Sequence, residues 1–122
     1  MSGTDAQEIP ESRNATPRAE AGYIGDRMRP QFAWLHRPGD ASAEIGLVIV
    51  PPFGYEAVCS RRALRHLGED AAKAGMLAVR VDLDGTGHSA GSDLDSRRLQ
   101  AWISSVHEAC DLLRSEGATR IV

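Results

Sequence analysis

Residues 45–50 constrain this chain more than any other stretch. Ile45-Gly46-Leu47-Val48-Ile49-Val50 is a near-continuous apolar run, and Pro51-Pro52 stops it abruptly. A run this short and this apolar suits a central parallel strand buried on both faces, and prolines cannot extend its ladder. A second strand is read at residues 77–81, Leu-Ala-Val-Arg-Val. Between the two, Leu64, Leu67, Ala71 and Ala74 recur at helical spacing, with Ser60 placed as cap and Gly75 as stop. A further amphipathic stripe follows at Leu99, Trp102, Ile103, Val106, Cys110 and Leu113, capped by Asp93 or Asp95 and ended by Gly117. Thr119-Arg120-Ile121-Val122 opens another strand. Upstream, residues 31–36 read as a strand ending before Pro38-Gly39-Asp40, and Tyr23-Ile24 as a short edge strand. This alternation predicts an α/β domain, a mostly parallel sheet with flanking helices and right-handed crossovers.

The chain's 122 residues hold at most one small domain. Residues 1–21 are polar, carry Pro10 and Pro17 and lack periodicity, which predicts a disordered tail ahead of a folded unit at 22–122. The net charge of -3 is scattered, and no basic stripe suggests nucleic acid. Arg61-Arg62 and Arg97-Arg98 read as solvated helix faces, and His107 as a solvated helix residue. No run is long enough to span a bilayer, and neither Cys59 nor Cys110 has metal-site spacing. No membrane, metal or cofactor is expected, and the cysteine usage and the absence of a leader pattern point to the cytoplasm.

Chemistry concentrates after the strand at 77–81. There Asp82-Leu83-Asp84-Gly85-Thr86-Gly87-His88-Ser89-Ala90-Gly91 gathers polar groups and glycines at a strand's carboxyl end, where ligands bind in open α/β sheets. Three patterns overlap. Asp82-x-x-Gly85-x-Gly87-x-Ser89 is the strand-end turn of many α/β-hydrolases. Asp82-x-Asp84-Gly85-Thr86 resembles the first motif of Mg²⁺-dependent haloacid-dehalogenase-type phosphatases, in which one Asp is nucleophile and the other a general acid. Gly85-x-Gly87-x-x-Ala90 resembles a dinucleotide turn, but Gly91-Ser92-Asp93 continues the loop where a helix should open. For the phosphatase pattern, Arg80 interrupts the preceding strand, Gly87-His88-Ser89 stand where apolar residues belong, and too little chain follows for the later motifs and a cap. A plain strand-end turn in a non-catalytic α/β binding module is the remaining reading.

The flanks favour the first pattern. Residues 48–56, Val-Ile-Val-Pro-Pro-Phe-Gly-Tyr-Glu, then Ser60-Arg61-Arg62, then residues 80–91 stand in an order and spacing similar to the N-terminal half of an α/β-hydrolase. The likeness is greatest to the bacterial serine-aminopeptidase-like branch, including hydrolases associated with exosortase systems. The resemblance implies hydrolysis of ester, amide or peptide bonds by a serine nucleophile. It implies that the Phe53 N–H, with Gly54 next, lines the oxyanion hole, since Pro51 and Pro52 have no N–H. It makes Asp82, Gly85, Gly87 and Ser89 the structural turn beside the site, and His88 a turn residue. No Gly-x-Ser-x-Gly occurs in the sequence, so nucleophile, acid and base are all expected beyond Val122. The resemblance therefore implies a truncated hydrolase, inactive as residues 1–122 alone, whose parent takes a small acyl substrate. An exposed sheet edge would favour self-association.

Overall fold

The structure, a computed structural model, describes residues 16–39, 43–52, 55–91 and 97–122. In chain order the elements are β1 (Arg18–Ile24), β2 (Gln31–Arg37), β3 (Ile45–Ile49), α1 (Tyr55–Lys73), β4 (Leu77–Val81), α2 (Arg98–Ser115) and β5 (Arg120–Ile121). The strands form one sheet in the order β1-β2-β4-β3-β5. β3 pairs with β4 and β5 in parallel, each through a helical crossover, while β1 and β2 run antiparallel. The parallel character expected of the sheet is thus confined to β4, β3 and β5, and the sheet is mixed.

Alternation along β4 sorts the two helices onto opposite faces. Leu77, Val79 and Val81 point into the larger core with Ala33, Leu35 and, from α2, Ala109 and Leu113. Ala78 points the other way, to Ile49 and Ala71 of α1. Val79, Ala78, Ala109 and Leu113 are all fully buried. β4, not β3, is the strand buried on both faces: Leu47 and Val48 remain half-exposed. β3's outer neighbour is short: β5 is Arg120–Ile121, with Val122 adding backbone bonds to Gly46 O at 2.8 Å and from Val48 N at 2.9 Å.

Four expectations need correction. The strand expected at Tyr23 begins at Arg18, inside the predicted tail; residues 1–15 lie outside the described residues. β1 is almost entirely exposed, so its composition reads as tail. Backbone pairing holds it, from Arg18 opposite Arg37 to Ile24 opposite Gln31, and Arg37 Nε donates to Glu20 at 3.0 Å. Next, α1 starts at Tyr55, so Ser60 is interior; its hydroxyl donates back to the Glu56 carbonyl at 2.8 Å. The N-cap of α2 is Arg97, without a side-chain cap, while Asp93 and Asp95 lie outside the described residues. Finally, the buried face of α2 is Ser105, Ala109 and Leu113, supported by Trp102, Val106 and Leu112, while Leu99 and Ile103 are exposed. On α1, likewise, Gly68, Ala71 and Ala72 are buried, whereas Leu67 is exposed.

Gly68 is buried because of His36. A Cβ there would stand 2.6 Å from the His36 ring, so only glycine lets α1 lie on β2. His36 is itself 1% exposed, and its Nε2 accepts from Arg80 Nε at 2.9 Å, which requires a neutral imidazole. Burial first, then the Arg80 charge, holds its pKa below the ordinary 6.5; Glu69 opposes them. The unfolded chain therefore takes up a proton on this group more readily than the folded one. The resulting stability is complete above the ordinary pKa and is lost as pH falls through it toward the lower folded value. The urea midpoint should drop between about pH 7 and 5, and His36→Gln should flatten that slope. An unchanged slope would mean that His36 is not the titrating group.

Candidate functional site

β4 ends at Val81, and the chain turns at once. Gly85, Gly87 and Gly91 all have positive φ. The turn is closed by its own backbone: Thr86 N donates to Leu83 O at 2.8 Å, Ser89 N to Thr86 O at 2.9 Å and Gly85 N to Ala90 O at 2.7 Å. It is also stitched to β2. Asp82 N donates to Phe32 O at 2.8 Å, and Ala90 N to Pro30 O at 2.9 Å.

Two predicted residues supply side-chain fastenings, beside the Thr86 hydroxyl, which donates to the Leu83 carbonyl at 2.6 Å. Asp82 Oδ2 accepts from the His88 N–H at 3.0 Å, across the bend that Gly87 makes. Ser89 Oγ donates to the Asp82 carbonyl and accepts from Phe32 N at 2.8 Å, so one hydroxyl ties the end of the turn to its start and to β2. Asp82, Gly85, Gly87 and Ser89 are thus brought together as one turn. His88 is exposed, and its ring meets Phe32 edge-on with centroids 5.1 Å apart.

Asp84 has a different role. It is 3% exposed, and Arg29 grips it with two bonds, Nε to Oδ2 at 2.5 Å and Nη2 to Oδ1 at 2.7 Å. Gln31 Nε2 adds a bond to Oδ2 at 3.1 Å. The Asp84 backbone is held as well: its N–H donates to Ser105 Oγ at 3.0 Å, and its carbonyl accepts from Trp102 Nε1 at 2.9 Å. Both carboxylate oxygens of Asp84 are therefore engaged within the protein. Arg29, Gln31, Trp102 and Ser105 escaped the sequence reading as site residues. Trp102 and Ser105 sit three residues apart on α2, a spacing that signals a shared face, but nothing local links them to residue 84.

Phe53 and Gly54 lie outside the described residues, as do Ser92, Asp93 and Asp95. Among the described residues no cluster of three His, Cys, Asp or Glu side chains is arranged to hold a metal ion, and no helix is long and apolar enough to cross a membrane. Two open depressions of about 350 Å³ each flank the sheet, one beside His36 and Glu69, the other beside Gly25 and Glu108. Neither is lined by a residue of the 82–91 turn.

No family model and no curated protein matches the sequence. Solved structures do match. Est1E from Butyrivibrio proteoclasticus, solved with ferulic acid bound, superposes with a TM-score of 0.65 at 22% identity, covering 83% of this chain and 40% of its own. A lidless α/β serine hydrolase from Xanthomonas campestris gives 0.60 at 18% identity, over 81% of this chain and 47% of its own. A CIB-like hydrolase from Thermoplasma acidophilum gives 0.58 at 16% identity, over 87% of this chain and 50% of its own. The chain spans half or less of each structure's length. Its fold is a partial α/β-hydrolase fold.

Proposed function

We propose that this chain is the N-terminal portion of a serine hydrolase acting on ester, amide or peptide bonds, of the serine-aminopeptidase-like branch. The observation that carries the reading is the strand order β1-β2-β4-β3-β5, with the Asp82–Ser89 turn at the carboxyl end of β4. In an α/β-hydrolase the nucleophile elbow follows the strand that β5 begins. A Gly-x-Ser-x-Gly segment joined after Val122 would leave the sheet at the same carboxyl ends as the turn. Phe53 then offers its N–H to the developing oxyanion, with Gly54 beside it. The turn holds the neighbouring backbone in place and takes no part in proton transfer. The location we assign is cytoplasmic, which suits the unpaired thiols of Cys59 and Cys110.

A fluorophosphonate probe tests the reading. Residues 1–122 alone should remain unlabelled and should not hydrolyse a simple activated ester. A version extended by the coding sequence that follows codon 122, carrying the elbow, should label at the elbow serine. Labelling of Ser60, Ser89 or any other serine within residues 1–122 would sink the proposal.

The same reading exposes a surface. β5 is two residues long, Val122 is 75% exposed, and Leu99 and Ile103 on α2 are uncovered. We expect residues 1–122 to self-associate through this edge, and sedimentation should show a concentration-dependent dimer or larger species. A monomer at all concentrations would count against it.

A further inference from the structure

His36 spends only one of its two ring nitrogens. Its Nε2 accepts from Arg80 Nε at 2.9 Å, so in the neutral ring the proton sits on Nδ1. That N–H has no hydrogen-bond partner among the described residues, although His36 is only 1% exposed. Among the same residues no sealed side-chain nitrogen or oxygen lacks a partner, so Nδ1 is open to a space rather than enclosed. Gly68 backs the Cδ2–Nε2 edge of the ring, the edge away from Nδ1. The space is the depression of about 350 Å³ that His36 lines.

This depression lies near the start of β4, where His36 pairs with Ala78, and not at the end that carries the 82–91 turn. Ala19 stands opposite His36 in the β1–β2 register and shares its face. With Pro17 and Ala72 it makes the apolar walls. Arg18, Glu69 and Lys73 complete the lining. Arg18 donates to Glu20 at 3.3 Å, and Glu69 lies 3.4 Å from His66 and 3.9 Å from Arg65. Lys73, in the last turn of α1, has no ion pair among the described residues.

A deeply set N–H without an acceptor is unfavourable, and an acceptor brought to it removes that penalty. Lys73 favours an acceptor that carries negative charge. Two cations against one carboxylate suit a monoanion, while Glu69 opposes a dianion. The volume is at the small end for a ligand pocket. We propose that this depression binds a small organic carboxylate. His36 Nδ1–H donates to one carboxylate oxygen, Lys73 balances the charge, and the alkyl part lies against Pro17, Ala19 and Ala72. The site uses no residue of the turn and stands whether or not the hydrolase reading holds.

Propionate and inorganic phosphate are titrated, at constant ionic strength and about pH 7.5, where the imidazole is neutral, into the isotope-labelled full chain. Propionate should give saturable NMR shifts at His36 Nδ1–H and at the Ala19 and Ala72 amides, while His88 and His107 stay still. Phosphate should bind more weakly. Lys73→Gln should weaken propionate binding by about tenfold. Ala19→Leu, at an exposed strand position, fills the depression without changing its charge and should abolish saturable binding. Shifts that never saturate, phosphate binding as tightly as propionate, or an affinity unchanged in either variant would overturn the proposal. Should Ala19→Leu fail to fold, Lys73→Gln decides, since it alters an exposed side chain at a helix end.

Discussion

Arg29→Ala should lower the unfolding free energy by about 3–5 kcal/mol, as removing one partner of a buried ion pair does. The pair is unequal. The Asp84 side chain is 3% exposed, while that of Arg29 is 47% exposed. Removing the arginine takes both guanidinium bonds from a deeply set carboxylate and leaves Gln31 Nε2, at 3.1 Å, as its one side-chain donor among the described residues. Removing the carboxylate instead leaves no buried charge, since the Arg29 side chain is 47% exposed. Gln31 also keeps its bond to the Arg29 carbonyl at 2.9 Å. Asp84→Ala should therefore cost less, about 2 kcal/mol. Urea unfolding of the two variants at one pH, with equal m-values, measures the difference. If Arg29→Ala proved no worse than Asp84→Ala, the carboxylate would not be stranded and the asymmetry argued from exposure would fail.

That pair also shows where sequence reading stops. β2, β3 and β4 were legible because burial selects apolar residues, and Leu35, Ile49, Val79 and Val81 carry that signal. β1 was legible only at Tyr23 and Ile24, its last two residues, because an exposed strand is held by backbone bonds that leave little trace in its side chains. The helices were legible as helices but not in their facing. Close packing on β4 selects small residues, so Ala109 and Ser105 are buried while Leu99 and Ile103 are not. A hydrophobicity pattern scores these the other way round. At the site, the glycines, Asp82 and Ser89 announced a turn because their constraints are local. Arg29 and Asp84 are 55 residues apart, and neither predicts the other. Only the antiparallel placement of β2 against β4 brings the start of one beside the end of the other.

The turn itself can be tested by comparing two glycines. Gly75 and Gly87 both hold positive φ, at 93° and 51°. At Gly75 a Cβ would meet nothing within 4 Å, so Gly75→Ala carries only the conformational cost of about 1–2 kcal/mol. At Gly87 a Cβ would fall on the Asp82 carboxylate. Asp82 would have to swing away and give up the His88 N–H it accepts at 3.0 Å. The expected cost of Gly87→Ala is about 2–4 kcal/mol, the sum of backbone strain and a lost charge-assisted hydrogen bond. Chain flexibility in the unfolded state changes equally in both variants, so it cancels in the comparison. A double-mutant cycle isolates the clasp. In an Asp82→Ala background the collision is gone, and Gly87→Ala should fall to the cost seen at Gly75. Equal costs for Gly87→Ala with and without Asp82 would show that backbone angle alone requires the glycine. A reduced cost would show that Asp82 and Gly87 are one device: the glycine leaves room for the carboxylate, and the carboxylate fixes the bend.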